Sequence, residues 1–131
     1  MSAIDTLLAT ARAGLDRAAP ERALRLQRDG ALIVDIRPHV NRLEEGEIPD
    51  SVVVERIHLE WRLAPDSEWR LPQVKPDSTV IVVCNEGYSS SLAAADLQRL
   101  GLPGATDLEG GFRAWRSAGL PIREGGTPAV P

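Results

Sequence analysis

The feature that most constrains the fold is a run of β-branched residues that passes directly into a polar loop and then a helix. Residues 79–83 read Thr-Val-Ile-Val-Val, the polar loop starts at Cys84, and an amphipathic helix is predicted at 90–100. A short, continuously apolar run predicts a strand buried on both faces, which is typical of parallel sheets covered by helices. The rest of the chain must therefore supply further parallel strands and helices for both faces.

The other segments alternate between strand and helix patterns. Strands are predicted at 31–36, 51–57 and 105–108; helices at 4–18, 20–28 and 110–118; a short helix with a connection at 58–73; and a loop at 38–50. This alternation predicts an α/β fold with a mostly parallel sheet. Residues 124–131 are rich in glycine and proline, and we expect a flexible tail there.

Composition excludes several classes of protein. A chain of 131 residues has the length of one domain, and its net charge of −4 disfavours a general binder of nucleic acid or of anionic membranes. No apolar run approaches the roughly 18 residues of a membrane span, and no signal peptide is expected. The single cysteine excludes an internal disulfide and a multi-cysteine metal site. A lone thiol without an export signal is expected in the cytoplasm.

The N-terminal segment carries five arginines: Arg12, Arg17, Arg22, Arg25 and Arg28. Acidic residues are interleaved with them, so the pattern differs from the uninterrupted basic run of a nucleic-acid-binding arm. We predict that these arginines lie on a solvated helical face.

The loop at 84–90, named the Cys84 loop, is the candidate for chemistry. Cys84 stands at the carboxyl end of a predicted parallel strand, where α/β folds bind ligands. Backbone N–H groups near the start of the following helix favour an anion or a thiolate, and Gly87 permits the sharp turn that brings them together. The spacing favours a nucleophile, but it leaves open a small buried side chain that ends a strand before an ordinary helix cap.

Three segments, in the same order, resemble the signatures of the rhodanese (sulfurtransferase) family. The Cys84 loop, which reads Cys-Asn-Glu-Gly-Tyr-Ser-Ser, looks like the active-site loop of that family. Residues 34–37 and 45–51 resemble its N-terminal signature, and residues 108–122 resemble its C-terminal signature. The three together are specific, whereas any one alone would be weak.

The resemblance implies a rhodanese domain at 20–123, with a three-layer fold of about five mostly parallel strands flanked by helices. Residues 1–19 then form a helical N-terminal extension, which could cover a sheet edge, pack on a face or mediate dimerisation. The resemblance also implies Cys84 as the catalytic residue. The rest of the loop would bind substrate and persulfide: Asn85, Glu86, Gly87, Tyr88, Ser89 and Ser90. We expect Asp35 and Arg37 to support the site as a salt bridge that joins loops.

The implied chemistry is the transfer of sulfur in two steps. The Cys84 thiolate attacks the sulfane sulfur of a small-molecule donor such as thiosulfate, and sulfite leaves. The persulfide then passes its outer sulfur to a thiophilic acceptor, which is cyanide, a small thiol or the thiol of a partner protein. This chemistry needs no cofactor, and two histidines with one cysteine do not make a zinc site.

Two residues of the Cys84 loop and one turn need comment against the family pattern. Many family loops carry a basic residue where this chain has Ser89. Glu86 adds a carboxylate that would oppose an anionic donor if it pointed into the pocket, and we expect it to point outward. The family's His-Ile-Pro-Gly reads Glu-Ile-Pro-Asp at 47–50, a change expected to alter a turn and not the chemistry.

Three alternative functions are weighed against sulfur transfer. Cysteine-based phosphatases and arsenate reductases need an arginine six positions after the cysteine, where this chain has Ser90. A non-catalytic rhodanese-like binding or regulatory module is consistent with Glu86 and with the absence of a cation in the loop, but such modules usually lose the cysteine. A redox sensor would need an outside thiol to resolve its sulfenate.

Overall fold

Four parallel strands form the centre of the computed structural model, which describes residues 1–131. The strands are β1 (Leu32–Asp35), β2 (Val52–Val53), β3 (Val80–Val83) and β4 (Ala105–Asp107), in the spatial order β2-β1-β3-β4. The helices are α1 (Ala3–Ala13), α2 (Pro20–Arg28), α3 (His39–Glu45), α4 (Leu59–Leu63), α5 (Ser89–Arg99) and α6 (Gly111–Ser117), with a 3-10 turn at Arg56–His58. The predicted α/β class and parallel sheet are confirmed. None of these helices combines the length and the apolar character needed to cross a membrane.

The prediction of about five strands is corrected to four. Beyond β4 the pairing is one residue long, a parallel bridge between Ala18 and Leu108. The N–H of Ala18 donates to the carbonyl of Asp107 at 3.1 Å, and the N–H of Glu109 donates back to Ala18 at 2.8 Å. Pro20 then begins α2, because its fixed φ and missing N–H suit the first turn of a helix and do not extend a strand.

The N-terminal helix is shorter than predicted. It ends at Ala13 and not at residue 18, because Gly14 follows and glycine is a poor helix former. At the other end Ser2 and Asp5 form a capping box, in which each side chain bonds to the backbone of the other residue. The chain then reaches the edge of the sheet before α2 begins.

Two predictions between β1 and β3 also need correction. The expected strand at 51–57 is reduced to β2, because the chain enters the 3-10 turn and α4 directly after Glu55. The expected loop at 38–50 contains α3. Pro38 stands at the N-cap of α3 without a side-chain hydrogen bond, so this helix lacks the start signal that a sequence pattern would show.

Alternate side chains of β3 pack into two separate cores. Val80 and Val82 pack on one face with α4 and α5, while Ile81 and Val83 pack on the other with α2 and α6. Cys84, at the next position, joins the first of these cores. The strand is therefore buried on both faces, as its unbroken apolar sequence predicted.

Residues 124–131 lie beside α3 and the β2 edge of the sheet. The hydroxyl of Thr127 donates to Oε1 of Glu47 at 2.6 Å, and the N–H of Val130 donates to the carbonyl of Val53 at 2.9 Å. The flexibility expected of this tail and the domain boundaries expected from the sequence stay predictions.

Candidate active site

The Cys84 loop lies at the carboxyl end of β3 and leads into α5. The N-terminus of α6 holds it in place, since the N–H groups of Phe112 and Arg113 donate to the carbonyls of Cys84 and Asn85, at 2.9 and 3.2 Å. A Cβ at Gly111 would lie 2.6 Å from backbone atoms of Asn85. Glycine is therefore required at position 111 for α6 to pack this closely, which explains the second glycine of the pair in the C-terminal signature.

The sulfur of Cys84 is almost enclosed, and the residue is 7% exposed. The N–H of Gly87 donates to Sγ at 3.2 Å, and the thiol donates to the hydroxyl oxygen of Ser90 at 3.2 Å. Ser90 in turn donates to Oδ2 of Asp107 at 2.7 Å. Because Ser90 has one hydroxyl proton, it must turn that proton from Asp107 toward the sulfur to stabilise a thiolate.

These contacts govern the ionisation of the thiol. Burial raises the pKa of Cys84, but hydrogen bonds to the sulfur from Ser90, Ser89 and the N–H of Gly87 outweigh burial and place the pKa below the ordinary value of 9.0. The thiolate is the nucleophilic form of cysteine. The geometry therefore supports a reactive thiol and not the inert buried side chain that the spacing left open.

A cavity of about 230 Å³ lies beside Cys84. It is lined by residues from two parts of the chain: Ile36, Arg37 and Pro38 after β1, and Cys84, Asn85, Glu86, Tyr88 and Ser89 of the Cys84 loop. The remaining loop residues, Gly87 and Ser90, are buried and bind the sulfur from the protein side. The structure thus places all the predicted loop residues either on the wall of one cavity or against the sulfur.

Glu86 puts a carboxylate at the wall of this cavity. Its side chain is 61% exposed and pairs with Arg113 of α6, Oε1 to Nη1 at 3.2 Å. Arg113 also pairs with Glu45, and hydrogen bonding to Arg113 is the first reason that the pKa of Glu45 lies below its ordinary value. The Glu86 carboxylate is therefore directed toward α6, and its charge is partly offset.

Asp35 and Arg37 form a buried ion pair beside the loop. Nη2 of Arg37 lies 2.8 Å from Oδ2 of Asp35, and neither side chain exceeds 1% exposure. The same nitrogen donates to the carbonyl of Gly46 at 2.7 Å, and the guanidinium lies over the ring of Phe112. The pair therefore joins the end of β1 to the segment after α3 and to α6.

Three charged residues on the other side of the loop, Arg12, Arg17 and Asp107, were not predicted from the sequence. Arg12 and Arg17 were predicted on a solvated face, and for these two arginines the prediction is wrong: both are partly buried. Their Nη2 atoms donate to the carbonyl of Gly87, at 2.7 and 2.9 Å. Arg17 also pairs with Asp107, Nε to Oδ1 at 2.9 Å. A signal was present, since Arg12 is spaced three or four residues from leucines on either side, which is the spacing of one helical face.

The fold and the site define a class of protein: a parallel α/β domain that presents one reactive thiol between its central strand and a helix. Comparison with known families agrees with this class. The family described as the rhodanese-like domain matches residues 19–118. The chain belongs to this family.

Several curated relatives carry the name of an enzyme. The thiosulfate sulfurtransferase GlpE of Pseudomonas syringae is 36% identical over 101 residues, which cover 77% of this chain and 87% of the relative. The protein of the same name from Stutzerimonas stutzeri is 38% identical over 101 residues, which cover 76% of this chain and 84% of the relative. This chain therefore spans most of the length of these relatives.

Solved structures with the same fold have varied descriptions. A protein of unknown function from Rhodopseudomonas palustris, described as a possible tyrosine phosphatase, has a TM-score of 0.83 at 33% identity, over 94% of this chain and 96% of that protein. The polysulfide-sulfur transferase homodimer of Wolinella succinogenes has a TM-score of 0.73 at 23% identity, over 90% of this chain and 85% of that protein. The second likeness bears on the fold alone.

Proposed function

We propose that this protein is a sulfurtransferase that accepts the sulfane sulfur of thiosulfate on Cys84 and passes it on from a persulfide. One observation carries the proposal: Cys84 lines a cavity, while the N–H of Gly87 and the hydroxyl of Ser90, both from buried residues, contact its Sγ atom. The relatives named as thiosulfate sulfurtransferases support the same donor.

The first step loads sulfur onto the enzyme. The Cys84 thiolate attacks the sulfane sulfur of thiosulfate, a new S–S bond forms, and the bond between the two sulfur atoms of thiosulfate breaks. Sulfite leaves with the electron pair of that bond. The negative charge of the resulting persulfide lies on its outer sulfur, in the cavity formed by the Cys84 loop. Backbone N–H groups and hydroxyls around this cavity favour the anion, as an oxyanion hole favours a developing negative charge.

The second step returns the enzyme to its starting state. A thiophilic acceptor, cyanide or a thiolate, attacks the outer sulfur, and the electron pair of the S–S bond returns to Cys84 as thiolate. A second cavity of about 360 Å³ shares Ile36, Arg37 and Pro38 with the first and continues toward Ile57, which leaves room for an acceptor larger than cyanide, including a protein thiol. Because the first step requires Cys84 as a reduced thiol, we place the protein in the cytoplasm.

Phosphate-ester hydrolysis is the second candidate, since the description of the Rhodopseudomonas palustris protein raises it. Such chemistry needs a guanidinium that binds the phosphate oxygens in a bidentate manner at the end of the loop. That position is Ser90, which is fully buried between Cys84 and Asp107. The chain has no lysine or arginine between Cys84 and Leu97, so the loop favours sulfur transfer.

The test is the intact mass of the purified protein after incubation with thiosulfate, beside a Cys84→Ser variant. We expect the wild-type chain to gain one sulfur atom, the variant to gain none, and cyanide to remove the added sulfur as thiocyanate. No gain from thiosulfate, but a gain from a small-molecule persulfide, would overturn the proposed donor.

Two other results would overturn sulfur transfer itself. No gain of mass from either donor, with Cys84 still open to alkylation, would favour the non-catalytic binding module. Hydrolysis of an aryl phosphate that disappears in Cys84→Ser would favour the phosphatase.

A further inference from the structure

We propose that Arg12 and Arg17, which precede the segment matched by the family, are positioning residues of the active site. In this proposal both arginines fix the residue whose N–H faces the sulfur, and Arg12, which has no acidic partner, supplies positive charge that the Cys84 loop itself lacks. The proposal rests on the proposed function, and it gives the N-terminal extension a role that the sequence left open.

The first argument is the hydrogen bonding of Gly87. Its N–H donates to Sγ of Cys84, while its carbonyl accepts from Nη2 of Arg12 at 2.7 Å and from Nη2 of Arg17 at 2.9 Å. Gly87 has a φ of +87°, a conformation with few steric restraints for glycine. Because glycine has little conformational preference of its own, hydrogen bonds to its carbonyl help to hold its N–H in line with the sulfur, and the two arginine bonds are shorter than the third one, from the hydroxyl of Ser91 at 3.3 Å.

The second argument is the ion pair of Arg17 with Asp107. Oδ2 of Asp107 accepts from Ser90 at 2.7 Å and from Ser91 at 2.8 Å, so this carboxylate competes with the sulfur for the single hydroxyl proton of Ser90. The pairing of Arg17 with the same carboxylate weakens that competition. Arg17 thereby acts on Cys84 through Ser90, by making it easier for the hydroxyl to turn toward a thiolate.

The third argument is the uncompensated charge of Arg12. Its partners are the carbonyl of Gly87, the hydroxyl of Ser91 at 3.1 Å and the ring of Tyr88, whose centroid lies 5.5 Å away. None of these partners carries a negative charge. The other charged groups around the loop are paired: Arg17 with Asp107, Arg37 with Asp35, and Arg113 with Glu45 and Glu86. Arg12 is therefore a cation beside the loop without an acidic partner, and in this proposal its field favours a thiolate or a persulfide anion.

The N-terminal extension is well placed for this task. α1 packs against α5, the helix that follows the Cys84 loop, and Nε2 of Gln98 in α5 donates to the carbonyl of Gly14 at 3.0 Å. Both arginines thus reach the loop from the N-terminal extension, and this extension is itself held against α5.

The experiment measures the rate of Cys84 alkylation by iodoacetamide as a function of pH, in the wild-type chain and in Arg12→Gln, Arg12→Lys, Arg17→Lys and Arg25→Gln. Arg25 is an exposed arginine of α2 whose side chain makes no hydrogen bond or ion pair, so its variant controls for net charge. Urea unfolding confirms that each variant is folded. The readout does not require sulfur transfer.

We expect Arg12→Gln to raise the pKa of the thiol and to lower the alkylation rate at neutral pH by about threefold to tenfold, as the thiolate fraction falls. Arg12→Lys keeps the charge and should restore part of the rate. Arg17→Lys should raise the pKa as well, because a lysine cannot bond to Gly87 and Asp107 with the same fork. Arg25→Gln should behave as the wild-type chain does.

Identical pH profiles in Arg12→Gln, Arg17→Lys and the wild-type chain would overturn this proposal. An equal shift in Arg25→Gln would also overturn it, because net charge would then explain the effect. Both results would leave the proposed sulfur transfer untouched, whereas a wild-type protein that takes up no sulfur would remove the proposed function even if its alkylation profile shifts as expected.

Discussion

The guanidinium of Arg37 lies over the ring of Phe112, with its Cζ atom 3.9 Å from the ring centroid. Arg37 follows β1, and Phe112 lies in the first turn of α6. The contact therefore joins two distant segments of the chain. The N–H of Phe112 donates to the carbonyl of Cys84 at 2.9 Å. A side chain far from the sulfur in sequence thus packs against the helix end that fixes the loop.

Removal of one partner of the buried Asp35–Arg37 ion pair should lower the stability of the protein. Arg37→Leu leaves the Asp35 carboxylate buried without its partner, and we expect the free energy of unfolding to fall by about 3–5 kcal/mol. Urea denaturation at neutral pH measures this change. The double variant Asp35→Leu/Arg37→Met removes both charges and should lose less than Arg37→Leu alone. A loss in Arg37→Leu below about 1 kcal/mol would contradict the structural role.

Ser90 should lower the pKa of Cys84 more than Ser89 does. Removing a donor to the thiolate destabilises the charged form, so Ser90→Ala should raise the pKa of the thiol and slow its alkylation at neutral pH. Ser89→Ala removes an exposed hydroxyl and is the matched control, with a smaller rise. The pH dependence of alkylation measures both. Equal shifts in the two variants would show that the buried hydroxyl of Ser90 stabilises the thiolate no more than the exposed hydroxyl of Ser89 does.

Gly87 should tolerate no side chain. A Cβ there would lie 2.9 Å from the backbone nitrogen of Gly110 and 3.1 Å from Nη2 of Arg17, at a φ of +87°. Gly119 has a φ of +74° with nothing within 4 Å, so Gly119→Ala isolates the backbone strain, about 1–2 kcal/mol. We expect Gly87→Ala to lose more stability than this in urea and also to slow the alkylation of Cys84. Matching stability losses, with normal alkylation, would refute the steric argument.

Glu47 should make the free energy of unfolding depend on pH in the acidic range. Burial raises the pKa of this carboxyl, but hydrogen bonds from Thr127, Arg42 and Arg123 lower it by more, so its folded pKa lies below the ordinary value of 4.5. A lowered folded pKa contributes stability that is present above the unfolded pKa and is lost as pH falls through the folded pKa. The wild-type chain should therefore lose stability between neutral pH and about pH 3 more steeply than Glu47→Gln, with the difference arising below the ordinary value of 4.5.

Urea unfolding at the two pH values measures this difference. Glu47→Gln should already be less stable at neutral pH, because Arg42 and Arg123 lose their charged partner. Glu44→Gln changes an exposed neighbour and should follow the wild-type curve. If the free energy of unfolding of Glu47→Gln and that of the wild-type chain fell equally with pH, the lowered pKa assigned to Glu47 would be contradicted.

The elements that the sequence predicts well are those with local causes. The unbroken apolar run of β3 and the glycine-containing loop after Cys84 each lie within a few residues, and the structure places both where the pattern indicated. Helix α2 begins at the predicted proline for the same reason. The shortness of β2 and the single bridge at Ala18 depend on which strands are available for pairing in the folded sheet. A local sequence pattern does not contain this information.

The charged residues behind the site were missed because their partners are remote. Arg17 and Asp107 are separated by 90 positions, and Glu47 and Thr127 by 80. A charged residue with no oppositely charged residue nearby in the sequence is ordinarily predicted to be exposed to solvent. Most such predictions are correct, as the one for Arg25 is. The altered turn at 47–50 shows the same limit, since its sequence gave no sign that Glu47 would be fully buried.

The two guanidiniums on the carbonyl of Gly87 bear on how modular this domain is. A graft or fusion cut at the family boundary, residues 19–118, would keep every side chain that lines the cavity, yet it would leave out Arg12 and Arg17. Such a transplant would contain all three sequence motifs of the family. It would lack the two hydrogen bonds from Arg12 and Arg17 to the carbonyl of Gly87. Under the role proposed for these arginines, a transplant of the active site should include α1 and the residues up to 18 as well as the segment matched by the family.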